Sequence, residues 1–381
     1  MWVSSVQLHN FRNYEQIAVS FSKGLNLIFG ENGRGKTNLV EGIYFLGTLE
    51  SHRSANNSVL IRSDQPTATI SVAGNFADRK LVAAAEINRS TANRYFLNGS
   101  QRKRSAEVAG LVKSLIFSPE DLDLVRRDPQ DRRAFMDQAL VLLKPRLQGV
   151  KSDYDRVLKQ RNALLKSAKH TTRPELSTLD IWDDQLVALG SELILARLDL
   201  IQELQPLLAD FYRELAGTGE EVSLSLQSSI TAEDEEEPEV IATQDLEEIR
   251  STFHVKLQSL RNKELERGIT LAGPHRDELF ISKAGLAART QSSQGEAWSI
   301  ALGLKLALAE LIRIDSQSGD PVLILDDVFA VLDAGRRSRL VKFVSGFEQV
   351  IITSADRASA PELSWDNELE VGKGGEIEAQ L

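Results

Sequence analysis

The sequence predicts a mixed α/β fold whose core is assembled from both ends of the chain, with a mainly helical arm inserted between them. Three observations carry this. "LNLIFGENGRGKTNLVEGIYFL" at 25–46 runs an apolar strand into a glycine-rich turn and then into a segment of helical periodicity. The matching apolar run that ends in paired acids, "PVLILDDVFAVLD" at 321–333, lies close to the C-terminus. Between about Ser118 and Arg267, apolar residues recur at three- and four-residue spacing.

The elements follow in order. "VSSVQLHNF" and "IAVSF" are short alternating runs, read as strands, and "GLNLIF" is a buried strand leading into the glycine turn. "TNLVEGIYFLGTL" is helical. "TATISVAGNF" and "KLVAAAEI" resume strand character, and "FLNGSQ" reads as a hairpin turn at Asn98–Gly99. In the arm, Leu193, Ala196, Leu200, Leu204, Leu207, Leu208 and Phe211 share one helical face, with Pro145 and Pro206 interrupting the pattern. That excludes a long coiled coil. "EDEEEPE" at 233–239 reads as a solvated loop. After Leu271 strands return, followed by the helix "AWSIALGLKLALAELI", the strand "VLILDD" and a last strand "QVIITSA". The expected division is a head from 1–117 and 268–381, with an arm at 118–267.

Bulk properties narrow the function classes. A chain of 381 residues suits two domains or one domain with a large insertion. No apolar run is long enough to cross a bilayer, and "MWVSSVQLHNFRNYEQ" lacks a basic flank followed by an apolar core. The absence of cysteine excludes disulfides, thiol catalysis and cysteine-based zinc sites, and fits a cytoplasmic protein. A formal charge of −10 argues against indiscriminate nucleic-acid binding, although a net value hides patches.

"GENGRGKT", comprising Gly30, Glu31, Asn32, Gly33, Arg34, Gly35, Lys36 and Thr37, satisfies the G-x-x-x-x-G-K-[ST] pattern. Glycines let successive backbone N–H groups face phosphate oxygens, and the following helix presents its positive end. Lys36 is placed to reach the β- and γ-phosphates and the Thr37 hydroxyl to ligate Mg²⁺. The pattern does not separate ATP from GTP. In "VLILDD", Asp326 is expected to hold the magnesium shell together with Thr37, and Asp327 to orient or deprotonate the attacking water. Asp333 is read either as a helix N-cap or as a residue facing a partner subunit. In "QSSQGEAWSIALGLKLAL", Ser293 and Glu296 fit a capping box, and the same turn offers donors suited to phosphate. The residues leave both readings open.

Taken in order, these motifs resemble the ATP-binding-cassette ATPases of the chromosome-maintenance type, and most closely the RecF family of bacterial recombination mediators. The resemblance covers nearly the whole chain. It rests on "LHNFRNY" at 8–14, the phosphate loop, "LGTLESHR", "FSPEDLDLVRRDPQDRRAFMD" at 117–137, "GPHRDEL" at 273–279, "SSQGEAWSIALGLKLA" and "LILDDVFAVLDAGRR". It implies an ABC-type head with bound ATP and Mg²⁺, and an ATP-dependent homodimer in which Ser293 acts in trans on the nucleotide held by the other head. It also implies that Arg12 and Asn13 lie near the base or α-phosphate. Three positions depart from the wider pattern. The signature reads Ser-Gln-Gly-Glu rather than Ser-Gly-Gly-Gln, Asp327 stands where transporters carry Glu, and Ser354 stands where many cassettes carry a switch histidine. All three suit a slow ATP-gated clamp.

The implied partners are duplex DNA and single-strand/duplex junctions, together with RecR and RecO, in recombinational repair, replication restart and the SOS response; no membrane is involved. For the DNA contact the sequence offers local basic clusters. Lys151, Arg156, Lys159, Arg161, Lys166, Lys169 and Arg173 outnumber Asp153 and Asp155 by five, and Arg102–Arg104, Arg126, Arg127, Arg132 and Arg133 add to them. An ordinary solvated helix face is the plainer account of each cluster. The alternative function is an ATPase subunit of another chromosome-maintenance or transporter machine that uses hydrolysis as a power stroke. The role of His275, Arg276 and Asp277 is open between lining a nucleotide interface and tying two strands together.

Overall fold

The computed structural model describes residues 1–53, 56–76, 79–169, 178–217, 219–232, 239–241, 243–315, 319–372 and 376–379. Arg173 and most of the acidic run lie outside them. The N-terminal elements are β1 (Trp2–Phe11), β2 (Tyr14–Ser20), β3 (Gly24–Phe29), α1 (Lys36–Thr48), β4 (Thr67–Phe76), β5 (Arg79–Asn88), β6 (Arg94–Leu97), β7 (Ser100–Arg102) and β8 (Ser114–Phe117). Then follow α2 (Asp123–Arg126), α3 (Pro129–Leu143), α4 (Leu147–Lys169), α5 (Leu179–Ala216), β9 (Val222–Ser228), β10 (Glu239–Val240) and α6 (Leu246–Arg267). The chain ends with β11 (Glu278–Lys283), β12 (Leu286–Ala287), α7 (Ala288–Gln291), α8 (Gln294–Asp315), β13 (Val322–Asp326), α9 (Ala334–Val344), β14 (Gln349–Ser354), β15 (Asn367–Val371) and β16 (Ile377–Ala379).

Two compact units result. One holds Met1–Leu122, Asp210–Thr218 and Trp298–Leu381, and the other holds Asp123–Ala209 and Gly219–Ala297. These units divide at 122 and 297, whereas the change of sequence texture falls at 118 and 267. The stretch 268–297, with its strands and signature turn, thus lies in the second unit.

The first unit, the head, contains two six-stranded sheets. One is antiparallel, in the order β2-β1-β4-β5-β6-β7, and the other runs β16-β15-β3-β14-β13-β8. In the second sheet β15, β3, β14, β13 and β8 are mutually parallel, and β16 is antiparallel at the edge. Every residue of β8, β13 and β14 is buried, as expected of parallel strands covered on both faces. Helix α1 contacts β1, β4 and β5 of one sheet and β8 and β13 of the other. It is consequently buried almost all round, including Leu39, Val40, Ile43, Tyr44, Phe45 and Leu46. Gly47 permits the close approach, since a Cβ there would lie 2.4 Å from the carbonyl oxygen of Val112.

A second tie joins the sheets. The ladder of β1 and β4 shifts register between Val3 and Ser5. There the buried amide of Gln349, on β14, accepts the Val3 N–H and donates to the Val3 carbonyl, each at 2.8 Å. A residue of the C-terminal region thereby satisfies backbone groups that a bulge leaves unpaired. The hairpin expected at Asn98–Gly99 is present, with both residues at positive φ and Leu97 paired with Ser100. Strand β14 is not the last, because β15 and β16 follow it.

The second unit, the arm, is mainly helical but carries its own antiparallel sheet, β10-β9-β11-β12. Strand β9, "VSLSLQS", lies inside the stretch of helical texture, and its Val222, Leu224 and Leu226 are buried in strict alternation. Helix α5 runs 38 residues straight through Pro206, where an interruption was expected. Pro206 and Gln202, whose carbonyl loses its amide partner, are exposed, so water can satisfy that carbonyl. On the neighbouring turn Gln205 donates to the Val222 carbonyl at 2.9 Å and accepts the Leu224 N–H at 2.7 Å, docking β9.

Buried charges fasten the arm helices. Arg161 of α4, fully buried, donates to Asp183 of α5 at 2.7 Å, to Glu264 of α6 at 2.6 Å and to the Thr270 hydroxyl at 2.9 Å. Arg197 of α5 binds Asp137 of α3 at 2.7 Å and the Pro274 carbonyl at 2.7 Å. Each guanidinium is paired and hydrogen-bonded, which is what burial of a charge demands. Among the described residues no helix is long and apolar enough to cross a membrane.

Candidate functional site

Strand β3 delivers the chain to the glycine loop, and α1 leaves it. Gly30, Gly33 and Gly35 all have positive φ. The Gly30 N–H donates to the Ser354 carbonyl at 3.3 Å, anchoring the loop's entry to the end of β14. At its exit a Cβ on Gly35 would lie 2.6 Å from the Asn13 amide and 2.7 Å from the Tyr14 hydroxyl. That close approach and a φ of 111° both favour glycine where the loop passes Asn13 and Tyr14. Asn13 also donates to the Arg34 carbonyl at 3.2 Å and accepts from Asn38 at 2.7 Å. Lys36 is buried and crosses the loop, donating to the carbonyls of Gly30 at 2.7 Å and Glu31 at 3.3 Å, with Asn32 at 3.5 Å. Glu31 and Arg34 pair with each other on the loop's outer side.

The distant half reaches the same point. Thr37, the second residue of α1, donates its hydroxyl to Oδ1 of Asp326 at 3.1 Å, joining positions 289 apart in sequence. The parallel ladder makes this possible, because β13 and β3 both flank β14. In that ladder Asp326 lies opposite Thr353, whose hydroxyl donates to the same Oδ1 at 2.6 Å and accepts the Asp327 N–H at 3.0 Å. Burial raises the pKa of Asp326, while the hydroxyls of Thr353 and Thr37 pull the other way. Two hydroxyls and a carboxylate form an oxygen donor set suited to a hard cation such as Mg²⁺. Asp327 sits in left-handed backbone at φ 51°, which turns the chain sharply as it leaves β13. Non-glycine residues held in this region collect at functional sites.

Arg12 is brought to α1. Its guanidinium donates to both carboxylate oxygens of fully buried Glu41, at 2.9 and 2.8 Å, and Ser51 adds a 2.6 Å bond to Glu41. Asp333 caps α9 by accepting the Arg336 N–H at 2.9 Å. Thr353 and Glu41 carry much of this geometry and were not singled out by sequence. Their roles depend on partners far along the chain, and the only signal for Thr353 was its place at the end of "VIIT".

Ser293 belongs to the arm unit. There Ser293 and Glu296 form the reciprocal capping box: the Glu296 N–H donates to the Ser293 hydroxyl at 3.3 Å and the Ser293 N–H to Glu296 Oε2 at 2.7 Å. The hydroxyl is used as an acceptor, so its own proton stays available to donate. Capping and phosphate contact are therefore compatible. In the same unit His275 Nδ1 lies 2.7 Å from the Tyr154 hydroxyl, and Asp277 accepts from Ser228 at 2.7 Å and Ser229 at 3.4 Å. These residues tie the β9 end to the 273–277 turn. Burial lifts Asp277 to about 6, against the pull of Arg197 and the serines.

The family model for the RecF/RecN/SMC N-terminal domain matches residues 2–368. A DNA replication and repair protein RecF from Clavibacter sepedonicus is 47% identical over the whole chain and 95% of its own length. The chain belongs to the RecF family. Its RecF relatives include those of Leifsonia xyli subsp. xyli, 46% identical over 95% of each chain, and Streptomyces avermitilis, 42% identical over 93% of this chain and 94% of that one. A solved structure of the recombination mediator RecF with ATP, from the RecFOR pathway, superposes with TM-score 0.89 at 27% identity, covering this chain fully and 98% of that one. The Smc head domain from Pyrococcus furiosus, at 16% identity and TM-score 0.52, shares the fold. The ABC-type head with an inserted arm, expected from sequence, is thus the architecture found.

Proposed function

We propose that this protein is an ATP-switched DNA-binding clamp of recombinational repair. The observation that carries the reading is the convergence of the Thr37 and Thr353 hydroxyls on one carboxylate oxygen of Asp326 beside the glycine loop. Gly30–Thr37 bind the phosphates of ATP through backbone N–H groups, with Lys36 turning from the loop carbonyls to the β- and γ-phosphates. Thr37 and Asp326 would hold Mg²⁺, which would neutralise charge on the bound phosphates. Asp327 orients or deprotonates the attacking water, and its short side chain suits slow turnover. Arg12 and Asn13 border the nucleotide; Asn13 does so through its contacts with the loop. Ser293 donates its free hydroxyl proton to the γ-phosphate held by a second copy, so ATP closes a homodimer.

The RecF relatives, which are DNA replication and repair proteins, and the likeness to a recombination mediator of the RecFOR pathway support a role at DNA. RecR and RecO are then the partners in loading recombinase at gaps. The exposed face of α4 is the DNA surface best supported. Lys159, Lys166 and Lys169 are exposed there, and among the described residues no ion pair joins them to an acid. Arg161, by contrast, is buried in ion pairs, and Lys151 and Arg156 are matched with Asp155 and Asp153. With no base-reading motif, recognition rests on backbone charge and junction shape.

The test is solution mass by light scattering, with and without ATP and Mg²⁺. Wild type is expected to become a dimer only with nucleotide, and Lys36→Met to stay monomeric. Asp327→Asn should slow hydrolysis at least a hundredfold and prolong the DNA-bound dimer; loss of DNA binding in that variant would instead favour a motor. A wild-type chain that stays monomeric with ATP, both with and without gapped DNA, overturns the clamp.

A further inference from the structure

The peptide that links Ser292 to Ser293 is gripped from both sides by charged side chains. On one side Arg126, at the end of α2, donates to the Ser292 carbonyl at 2.5 Å and to the Arg289 carbonyl at 3.5 Å. On the other, the N–H of the same peptide donates to Glu296 at 2.7 Å. A trans peptide points its C=O and N–H in opposite directions, so two such contacts fix its plane. Glu296 is itself held by Lys283, at the end of β11, at 2.9 Å, and Lys283 also meets Glu220 at 3.2 Å. All these residues belong to the arm unit.

We infer that Arg126 and Lys283 are positioning residues for the Ser293 hydroxyl. Arg126 fixes the carbonyl face of the turn, and Lys283 fixes Glu296, which fixes the amide face. The Ser293 Oγ accepts the Glu296 N–H at 3.3 Å, so the hydroxyl proton projects away from the helix start. A preset hydroxyl loses little freedom when it meets phosphate. This gives the arginine in "DLVRR" and the lysine in "LFISK" a task that neither stretch suggests in isolation. The functional half of the inference rests on the trans role proposed for Ser293, whereas the geometric half does not.

Two measurements separate the halves. The first is amide hydrogen exchange of the segment 290–297 in the nucleotide-free chain. Arg126→Ala and Lys283→Gln should each speed exchange there about tenfold and leave the head strands unchanged, with Arg126→Lys partly restoring protection. Unchanged exchange at 290–297 in both variants overturns the clamp on the turn, whatever Ser293 does. The second compares ATP affinity of the monomer and ATP-dependent dimerisation for wild type, Arg126→Ala, Ser293→Ala and the double variant. Arg126→Ala should leave ATP affinity within twofold but weaken dimerisation about tenfold, and the double should match Ser293→Ala alone. Additive losses in the double overturn the positioning role. If Ser293→Ala dimerises as wild type, the trans reading fails while the exchange result still decides the clamp. Should Arg126→Ala fail to fold, Arg126→Gln and Lys283→Gln carry the same tests.

Discussion

The Thr353 hydroxyl donates to Oδ1 of Asp326 at 2.6 Å, and it is also the acceptor for the N–H of Asp327, at 3.0 Å. One side chain therefore sets the direction of the carboxylate proposed to hold the metal shell and the backbone of the residue proposed to activate water. In Thr353→Val both contacts go while shape is nearly kept. Asp326 loses a donor that lowers its pKa, and the Asp327 turn loses an anchor. ATP turnover is expected to fall about tenfold, equivalent to about 1.4 kcal/mol. Steady-state phosphate release checks this, and Thr353→Ser should stay near wild type. A valine variant as active as wild type would rule out the anchoring role.

The α4 lysines make the salt dependence of DNA binding predictable. If Lys159, Lys166 and Lys169 each neutralise one phosphate of a duplex, each change to Ala should reduce the slope of log affinity against log salt by about 0.9. Arg161→Met should leave that slope unaltered, because its guanidinium is already committed to Asp183 and Glu264. Fluorescence anisotropy at several salt concentrations reads both. An unchanged slope in the triple lysine variant would move the DNA surface elsewhere.

Arg161 has a different expected effect. Replacing it by Met leaves Glu264 a buried carboxylate without its cation and leaves Asp183 with Arg261 alone. Breaking one side of a buried ion pair typically costs about 3–5 kcal/mol. Urea unfolding followed by helical signal should show the arm's transition moving to lower denaturant by that amount. A shift below about 1 kcal/mol, the scale of an exposed pair, would mean that water or Arg261 takes over the charge. Arg261 also reaches Asp183, at 2.6 Å.

How much of this was legible in the sequence follows from how local each signal is. The strand–loop–helix around Gly30–Thr37 and the strand ending in Asp326 are contiguous patterns, and both stand where expected. Strand β9 has a clean alternation, yet its seven residues lie between long helical segments whose periodicity masks it. Pro206 reads as a breaker, but a proline on an exposed face leaves only a watered carbonyl behind. The charged residues were the least legible. Arg161 looks like part of a basic surface until Asp183 and Glu264, 22 and 103 positions away, are brought to it. Arg12 likewise is committed to Glu41, a residue hidden in an apolar helix.

Acid should weaken the head through His52. Burial holds the His52 pKa down at about 4, with Lys305 and Arg53 adding to the effect and Glu41 and Glu120 opposing it. Among the described residues its buried Nδ1 has no hydrogen-bond partner, and the ring packs edge-on to Tyr44 at 5.6 Å. An unfolded chain binds a proton here near the ordinary histidine value of about 6.5, so between that value and about 4 it holds more protons than the folded one. Stability then rises with pH across the window and is lost as pH falls through it. Asp121 and Asp326, whose pKa values burial raises, act in the opposite sense, but they are common to wild type and a His52 variant. The stability difference between wild type and His52→Gln isolates the histidine. Wild type should lose ground by at most about 1.4 kcal/mol per pH unit below about 6.5, levelling off near about 4. Denaturant unfolding of both proteins at several pH values from neutral down to about 4 measures it. A difference that stays flat across the series would mean that His52 takes up its proton in the folded head as readily as in the unfolded chain.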